Sequence, residues 1–277
     1  MRTHERCFDV GAPLVVTVGR LGVRPGAPSV YTSRKVTILD SLCVTRVSRS
    51  CWHALDDDRV IGRGEVSRRP DGRPFLSIDV WRDDAFGRLA EAMTPVLPKP
   101  LYTVVDERDA DLTSQWCAAG FSVRRREWEC LIPTGPAEPS DVPVISPEEE
   151  PLSKLDRVIR EEVEASVGWQ EMPAELLGPG VVDPSKYAVA TKSGRYVGLI
   201  RVTQVQRLPR IGLIAVRADE RRRGIARALL GHALGSLHDR GIETASAELH
   251  ESNTAALALF DGFGARRVGS NLELVLR

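Results

Sequence analysis

No run of 18 or more apolar residues interrupts this 277-residue chain, so no transmembrane helix is expected. The opening residues, Met1-Arg-Thr-His-Glu-Arg-Cys7, lack the apolar core of a secretory signal, and a cytoplasmic location is the expectation. Excess charge of either sign is missing too. The 38 basic and 38 acidic side chains leave a formal net charge of zero, which proposes neither nucleic acid nor an anionic membrane as a partner. The five cysteines (Cys7, Cys43, Cys51, Cys117 and Cys130) include no Cys-x-x-Cys pair, so they read as free thiols and no metal site is expected. Neither Gly-x-x-x-x-Gly-Lys-Ser/Thr nor Gly-x-Gly-x-x-Gly occurs, which leaves a nucleotide P-loop and a dinucleotide fingerprint unsupported.

What remains is a globular composition, 42% hydrophobic and 27% charged, long enough for one or two domains with a substantial core. Residues 1–44 hold strand-like pieces (Val15–Val18, Lys35–Leu39) broken by glycine and proline. From Trp52 the pattern reads as an antiparallel meander, with turns at Asp56–Arg59 and Pro70–Arg73 and strands at Val60–Val66 and Phe75–Val80. A helix over 83–94 places Phe86, Leu89, Ala90 and Met93 on one face and ends at Pro95. A strand (101–105), a short helix through Trp116 and a strand at 123–132 are expected to close this first unit.

Pro133, Pro136, Pro139 and Pro143, with Gly and Ser between them, mark a linker. The expected division is therefore a domain at 1–133, a linker at 134–141 and a second domain at 142–277. The second half reads β-α-β-β-β-α-β-α-β: a strand at 142–145, a helix near 151–165, a hairpin around Lys192–Arg195 and a strand at 211–216. A helix from Gly224 to Arg240, a strand at 244–250, a helix capped near Asn253 and a strand at 271–276 complete it. The fold class is α/β (α+β), a mixed and mostly antiparallel sheet flanked by helices. Aligning Trp116 with Phe260 puts Gly120 on Gly264, Asp109 on Asn253 and Glu107 on Glu251, which points to an internal duplication; chance likeness of two α/β segments is the alternative.

One stretch of the second half concentrates the chemistry. Ile214, Ala215 and Val216 end an apolar strand, a charged turn follows, and then comes Arg221-Arg222-Arg223-Gly224-Ile225-Ala226-Arg227. Small residues at 224 and 226 leave successive backbone N–H groups unobstructed at a helix N-terminus, where the helix dipole and three arginines favour a phosphate or pyrophosphate. An ordinary strand-to-helix turn with a solvated arginine cluster is the other reading. Alternation along 244–250 sets Ser246, Glu248 and His250 on one face. The equivalent turn of the first half, Trp81-Arg-Asp-Asp-Ala-Phe-Gly87, has two aspartates where a phosphate would sit, so that copy is expected to be scaffold.

Arg-x-x-Gly-x-Ala after an apolar strand, then Glu248-Leu-His-Glu-Ser-Asn253, Phe260 and Gly264 in this order, resembles the GNAT superfamily of N-acetyltransferases. The likeness spans about residues 142–277, and within the superfamily it is nearest the ribosomal-protein alanine N-acetyltransferases. It implies a tandem GNAT-like fold with a degenerate first copy, acetyl-CoA as co-substrate, and a primary amine of a small molecule or peptide as acceptor. A monomer or homodimer is expected. By the same resemblance the backbone of Ile214, Ala215 and Val216 holds the pantetheine arm and residues 222–227 cradle the pyrophosphate. Asn253 bonds the cofactor near the thioester unless it is only an N-cap, and Phe260 lies at the cofactor. Glu248 takes the position of the general base, with His250 in reserve; a solvated strand glutamate is the alternative. Phe260 departs from the family, which often has a proton-donating tyrosine there, and Ala265 stands where phenylalanine is usual. Trp169 and Glu171 fall where the acceptor cleft forms, or else are an interdomain plug and a solvated charge. A mycothiol-synthase-like enzyme and a non-catalytic acyl-CoA-binding or regulatory protein are the competing functions.

Overall fold

The computed structural model describes residues 42–69, 72–166, 168, 182–205 and 208–277. The strand-like pieces before residue 40 and both Trp169 and Glu171 lie outside the described residues. Contacts group residues up to Glu65 with Ile78–Pro95, and Val66–Ser77 with Val96–Arg277, as two compact units.

In the first unit, strand β1 (Leu42–Arg46) pairs antiparallel with β2 (Cys51–Asp56), from Leu42↔Asp56 to Arg46↔Trp52. Strand β1 escaped the sequence reading because its five residues carry no clear alternation and only Leu42 is buried. Strand β2 continues through a tight turn into β3 (Arg59–Arg68), with Asp57 and Asp58 at φ 45° and 65°. Aspartate is among the residues that tolerate this left-handed region. Strand β4 (Pro74–Val80) leads to helix α1 (Asp84–Met93), which buries Ala85, Phe86, Leu89, Ala90 and Met93. That spacing is the one-face pattern of an amphipathic helix. The helix comes so close to β3 that a Cβ on Gly64 would lie 2.2 Å from Met93 Sδ.

The second unit is built on β5 (Leu101–Asp106), α2 (Ala110–Ala118), β6 (Ser122–Pro133), β7 (Val144–Ile145), α3 (Glu149–Ser166), β8 (Tyr187–Lys192) and β9 (Arg195–Val205). Then come β10 (Leu208–Val216), α4 (Ile225–Asp239), β11 (Thr244–His250), α5 (Thr254–Asp261) and β12 (Arg266–Leu276). Its strands lie in the order β5-β12-β6-β11-β10-β9-β8-β7. Among the described residues only β10 with β11, and the start of β4 with β5, run parallel and the other pairs are antiparallel, so the sheet is mixed and mostly antiparallel as expected. One face is covered by α4 and α5, where Ile225, Leu229, Leu230, Ala233, Leu234 and Phe260 pack on Ile211, Ala245, Ala247 and Leu249. On the other face α3 sets Leu152, Leu155 and Ile159 against Tyr187, Val189 and Leu199.

Strand 122–133 does not close the first half as the sequence suggested. It lies on β11, from Thr244↔Pro133 to His250↔Glu127, while β12 pairs with β5 on one side and β6 on the other. The last strand of each half of the sequence thus pairs with a strand of the other half, β6 with β11 and β12 with β5. The sequence is blind to this because Trp128, Cys130 and Ile132 alternate correctly for either neighbour, and here they face Leu249, Ala247 and Ala245.

The internal likeness holds in atomic detail. Asp109 caps α2 by accepting from Leu112 N at 3.0 Å, and Asn253 caps α5 by accepting from Ala256 N at 3.1 Å. Trp116 and Phe260 are both buried, and Gly120 and Gly264 both turn with left-handed φ, 92° and 73°. Phe121 N donates to Trp116 O and Ala265 N to Phe260 O, each at 3.1 Å. Arg126 joins the matched glutamates, reaching Glu107 at 2.6 Å and Glu251 at 2.9 Å.

Candidate active site

Strands β10 and β11 start side by side, paired at Arg210↔Ser246. Beyond that point Ile211–Val216 keep their partners in β9, and no further partner in β11 follows among the described residues. A bulge between Ile211 and Leu213 bends β10 at this place. The result is a fork at the C-terminal ends of two parallel strands, where open α/β sheets bind their ligands. Ile214, Ala215 and Val216 form the β10 side of the fork, half-buried, paired with β9 on one edge and, among the described residues, without a partner strand on the other, where Val216 O accepts from Arg221.

Across the mouth of the fork stands the start of α4. Gly224 is its N-cap, at φ 77°, and no side chain caps it. Ala228 N donates to Gly224 O, so the N–H groups of Ile225, Ala226 and Arg227 come before the first intrahelical bond. Arg222, at φ 65°, puts a second left-handed residue two positions earlier. Alternating backbone hand of this kind turns N–H groups inward into an anion-binding concavity. A Cβ on Gly224 would meet nothing within 4 Å, so glycine is needed here for its backbone conformation rather than for tight packing.

The loop is anchored by residues that the sequence did not single out. Glu220, 6% exposed, accepts from Lys192 Nζ at 2.7 Å and from Arg223 at 3.0 Å. Glu162 of α3 accepts from Ala218 N at 2.7 Å and from Arg217 Nε at 3.4 Å. Of the predicted arginines, Arg221 donates to Val216 O at 3.3 Å and Arg227 to Glu138 at 3.2 Å, with Arg227 also stacked 4.9 Å from the Phe263 ring. Arg221, Arg222 and Arg223 are exposed.

Glu248 is on the face opposite α4, as alternation required, since Ala245, Ala247 and Leu249 are buried in the α4 core. Its carboxylate is 2.6 Å from Arg210 Nη2, and the two side chains are 18% and 9% exposed. Arg210 is the one charged residue in the run Leu208-Pro-Arg-Ile-Gly-Leu, a signal that alternation could have flagged. His250 shares the face, and its Nδ1 accepts from Ser252 N at 3.2 Å and lies 2.5 Å from Ser252 Oγ. Asn253 spends Oδ1 on its helix cap and keeps its Nδ2 donors out of that cap. Phe260, expected at the cofactor, is 3% exposed inside the α4–α5 core. An apolar ring on the inner face of α5 packs there because burial is its cheapest placement.

The first-half counterpart of the turn before α4 is closed by its own ion pairs. Arg82 bonds Asp84 at 2.6 and 2.8 Å and also pairs with Asp56, in front of the first turn of α1. Among the described residues no group of three or more His, Cys, Asp or Glu side chains is arranged to hold a metal ion, and no helix is long and apolar enough to cross a membrane.

A sheet forked between two parallel strands and facing an uncapped helix N-terminus defines a GNAT-type fold. The solved structures with the same fold include a GCN5-related N-acetyltransferase from Sphaerobacter thermophilus (TM-score 0.61, 16% identity, 84% of this chain and 82% of that one). A tandem GNAT protein from the clavulanic acid biosynthesis pathway also matches (TM-score 0.56, 15% identity, 86% and 83%). Residues 155–265, a segment of the second half, match the model of the acetyltransferase (GNAT) family. Curated relatives are the ribosomal protein bS18-alanine N-acetyltransferases of Escherichia coli strain K12 and Salmonella typhimurium, each 45% identical over 51 residues, 18% of this chain. The match spans about a third (34%) of the length of those relatives.

Proposed function

We propose that the chain is an acetyl-CoA-dependent N-acetyltransferase acting on a primary amine, with one active site, in the second repeat. The observation that carries this reading is the fork between β10 and β11, with the uncapped N-terminus of α4 at its mouth and Glu248 on the flanking sheet face. The residues fit the ligand. The N–H groups of Ile225, Ala226 and Arg227 suit the pyrophosphate, and the free edge of Ile214–Val216 suits the amide-bearing pantetheine arm, which binds as an added strand. Bound there, acetyl-CoA supplies the thioester carbonyl that the amine attacks.

Glu248 then takes one proton from the acceptor ammonium, directly or through water, because only the neutral amine has the lone pair to attack. The N–C bond forms as the C–S bond breaks. The nitrogen's second surplus proton passes through water to the leaving thiolate, and Glu248 releases its proton to solvent. Phe260 has no hydroxyl to donate, which makes water the proton source for the thiol. Positioned general-base catalysis of this kind contributes roughly 10²- to 10⁴-fold. The division into a scaffold repeat up to residue 133 and a ligand-binding repeat from 142 belongs to this proposal, as do a cytoplasmic location and a monomeric or homodimeric state. The ion-paired turn at Arg82 supports one site per chain. The short sequence match to ribosomal-protein alanine N-acetyltransferases makes a peptide N-terminus one of the acceptors to test.

A buried phenylalanine at 260 favours a second reading, an acyl-CoA-binding protein without turnover. One experiment separates the two: acetyl-CoA binding by calorimetry, followed by coenzyme A release over a panel of amines and N-terminal alanine peptides. Binding with release supports the enzyme. Binding with no release on any amine refutes it, and no binding refutes both.

A further inference from the structure

The exchange of last strands puts a second carboxylate beside Glu248. In the β6–β11 ladder Glu129 is directly opposite Glu248. Directly opposed residues share one face with Cβ atoms roughly 5 Å apart, and like charges so placed repel. Arg210 offsets the charge of Glu248. Glu129 has a different setting. It accepts one hydrogen bond, from Asn271 Nδ2 at 2.9 Å, and no cation is in ion-pair distance of it among the described residues. Gly269 of β12 makes room for it, since a Cβ there would lie 2.7 Å from Glu129 Oε2. Arg108 reaches the same spot, but its guanidinium is bound to Asp106 at 2.9 and 3.1 Å. Asn271 and Gly269 thus fix the carboxylate, and the neighbouring Arg108, shared with Asp106, offsets only part of its charge.

We propose that Glu129, supplied by the strand before the linker, binds a second cationic nitrogen of the acceptor, so that the substrate class is a diamine or polyamine. This rests on the acetyltransferase reading. Glu248 deprotonates the attacking nitrogen, and Glu129 holds the neighbouring ammonium a few ångströms away, relieving the repulsion between the two carboxylates. Glu129 is a specificity residue, and its loss weakens acceptor binding rather than chemistry.

The test compares 1,4-diaminobutane with butylamine as acceptors, following coenzyme A release with a thiol reagent. The wild-type protein is expected to show a KM at least about tenfold lower for the diamine. Glu129→Gln should raise the diamine KM about tenfold, with kcat within about twofold, butylamine unaffected and acetyl-CoA affinity unchanged; Glu129→Asp should restore part of the preference. Gly269→Ala, which displaces the carboxylate without removing its charge, should raise the diamine KM in the same way and covers the case in which Glu129→Gln fails to fold. A wild-type protein with no preference between the two amines, or variants that keep the preference, overturns the proposal. A wild-type protein that binds acetyl-CoA and acetylates no amine fails earlier, at the enzymatic reading itself, without reference to Glu129.

Discussion

Replacing Glu248 by glutamine tests catalysis and stability in one step, and the geometry says both will move. The carboxylate stands 2.6 Å from Arg210 Nη2 with the two side chains 18% and 9% exposed. The amide keeps the shape and one acceptor oxygen but removes the charge facing a buried guanidinium. Breaking a buried pair by removing one partner costs about 3–5 kcal/mol; the retained oxygen and the partial exposure of Glu248 reduce this to about 2–3 kcal/mol. In a unit of this size, each kcal/mol shifts the melting temperature by about 2–4 °C, so a fall of roughly 5–10 °C is expected. Turnover should drop roughly 10²- to 10⁴-fold, because proton removal is left to water. The double variant Arg210→Met with Glu248→Leu, which removes both charges, should recover most of the lost thermal stability while staying inactive. Differential scanning calorimetry and coenzyme A release measure the two effects separately. Wild-type melting together with wild-type turnover in Glu248→Gln would refute both the pairing energetics and the base assignment.

Gly224→Ala should cost about 1–2 kcal/mol from forcing a left-handed residue to carry a Cβ, with no steric clash, while Gly224→Asp should also abolish acetyl-CoA binding through its charge; unchanged affinity by calorimetry would remove the anion site from this loop. Glu220→Ala leaves Lys192 and Arg223 without their shared buried carboxylate, and the loosened loop should raise the dissociation constant for coenzyme A several-fold while distant sites keep their hydrogen-exchange protection. Hydrogen bonds from Arg126 and then Ser270 hold the Glu107 carboxyl below its ordinary value of 4.5, so its contribution to stability is present above that pH and is lost as pH falls below it. Melting temperatures followed from pH 7 to pH 3 should therefore fall less steeply for Glu107→Gln than for the wild type, and parallel curves would contradict the linkage.

Local signals in the sequence were strong where one element decides its own conformation. Strand 244–250 was legible to the residue because Ala245, Ala247 and Leu249 alternate with polar neighbours, and the helix after it because Asn253 caps and Gly264 turns. Gly224 was legible as the glycine of a strand-to-helix turn, and its open surroundings make backbone hand, not close approach, the reason for it. The partners that give the site its electrostatics were not legible. Arg210 and Glu248, Glu220 and Lys192, and Glu162 and Arg217 are each brought together by the fold from positions 28 to 55 or so residues apart. Phe260 shows the limit of carrying a position across a family: an aromatic ring without a hydroxyl has no reason to face the ligand and is buried in the core. Strand exchange was invisible for a different reason, since period-two alternation specifies which face is buried but not which neighbour lies alongside.

That exchange decides whether the second repeat can stand alone. Cutting at the linker removes β6 from β11 and leaves the edge of Thr244–His250 exposed on the strand that carries Glu248. It also uncovers Ala245, Ala247 and Leu249, and takes away Trp128, Cys130 and Ile132 that pack on the same core. At about 1.5–3 kcal/mol for a fully buried apolar side chain such as Ile132, and about half that for the partly buried Trp128, losing these two alone costs roughly 2–4 kcal/mol, before the seven paired positions of the ladder are counted. Whole domains have only about 5–15 kcal/mol in hand, so a fragment of residues 142–277 should be insoluble or unable to bind acetyl-CoA. Co-expression with residues 1–141 should restore a soluble complex, because β6 on one fragment and β12 on the other each complete a sheet begun by its partner. A 142–277 fragment that is monomeric, cooperative in its unfolding and equal to the full chain in acetyl-CoA affinity would mean that the exchanged strands are not needed to build the site.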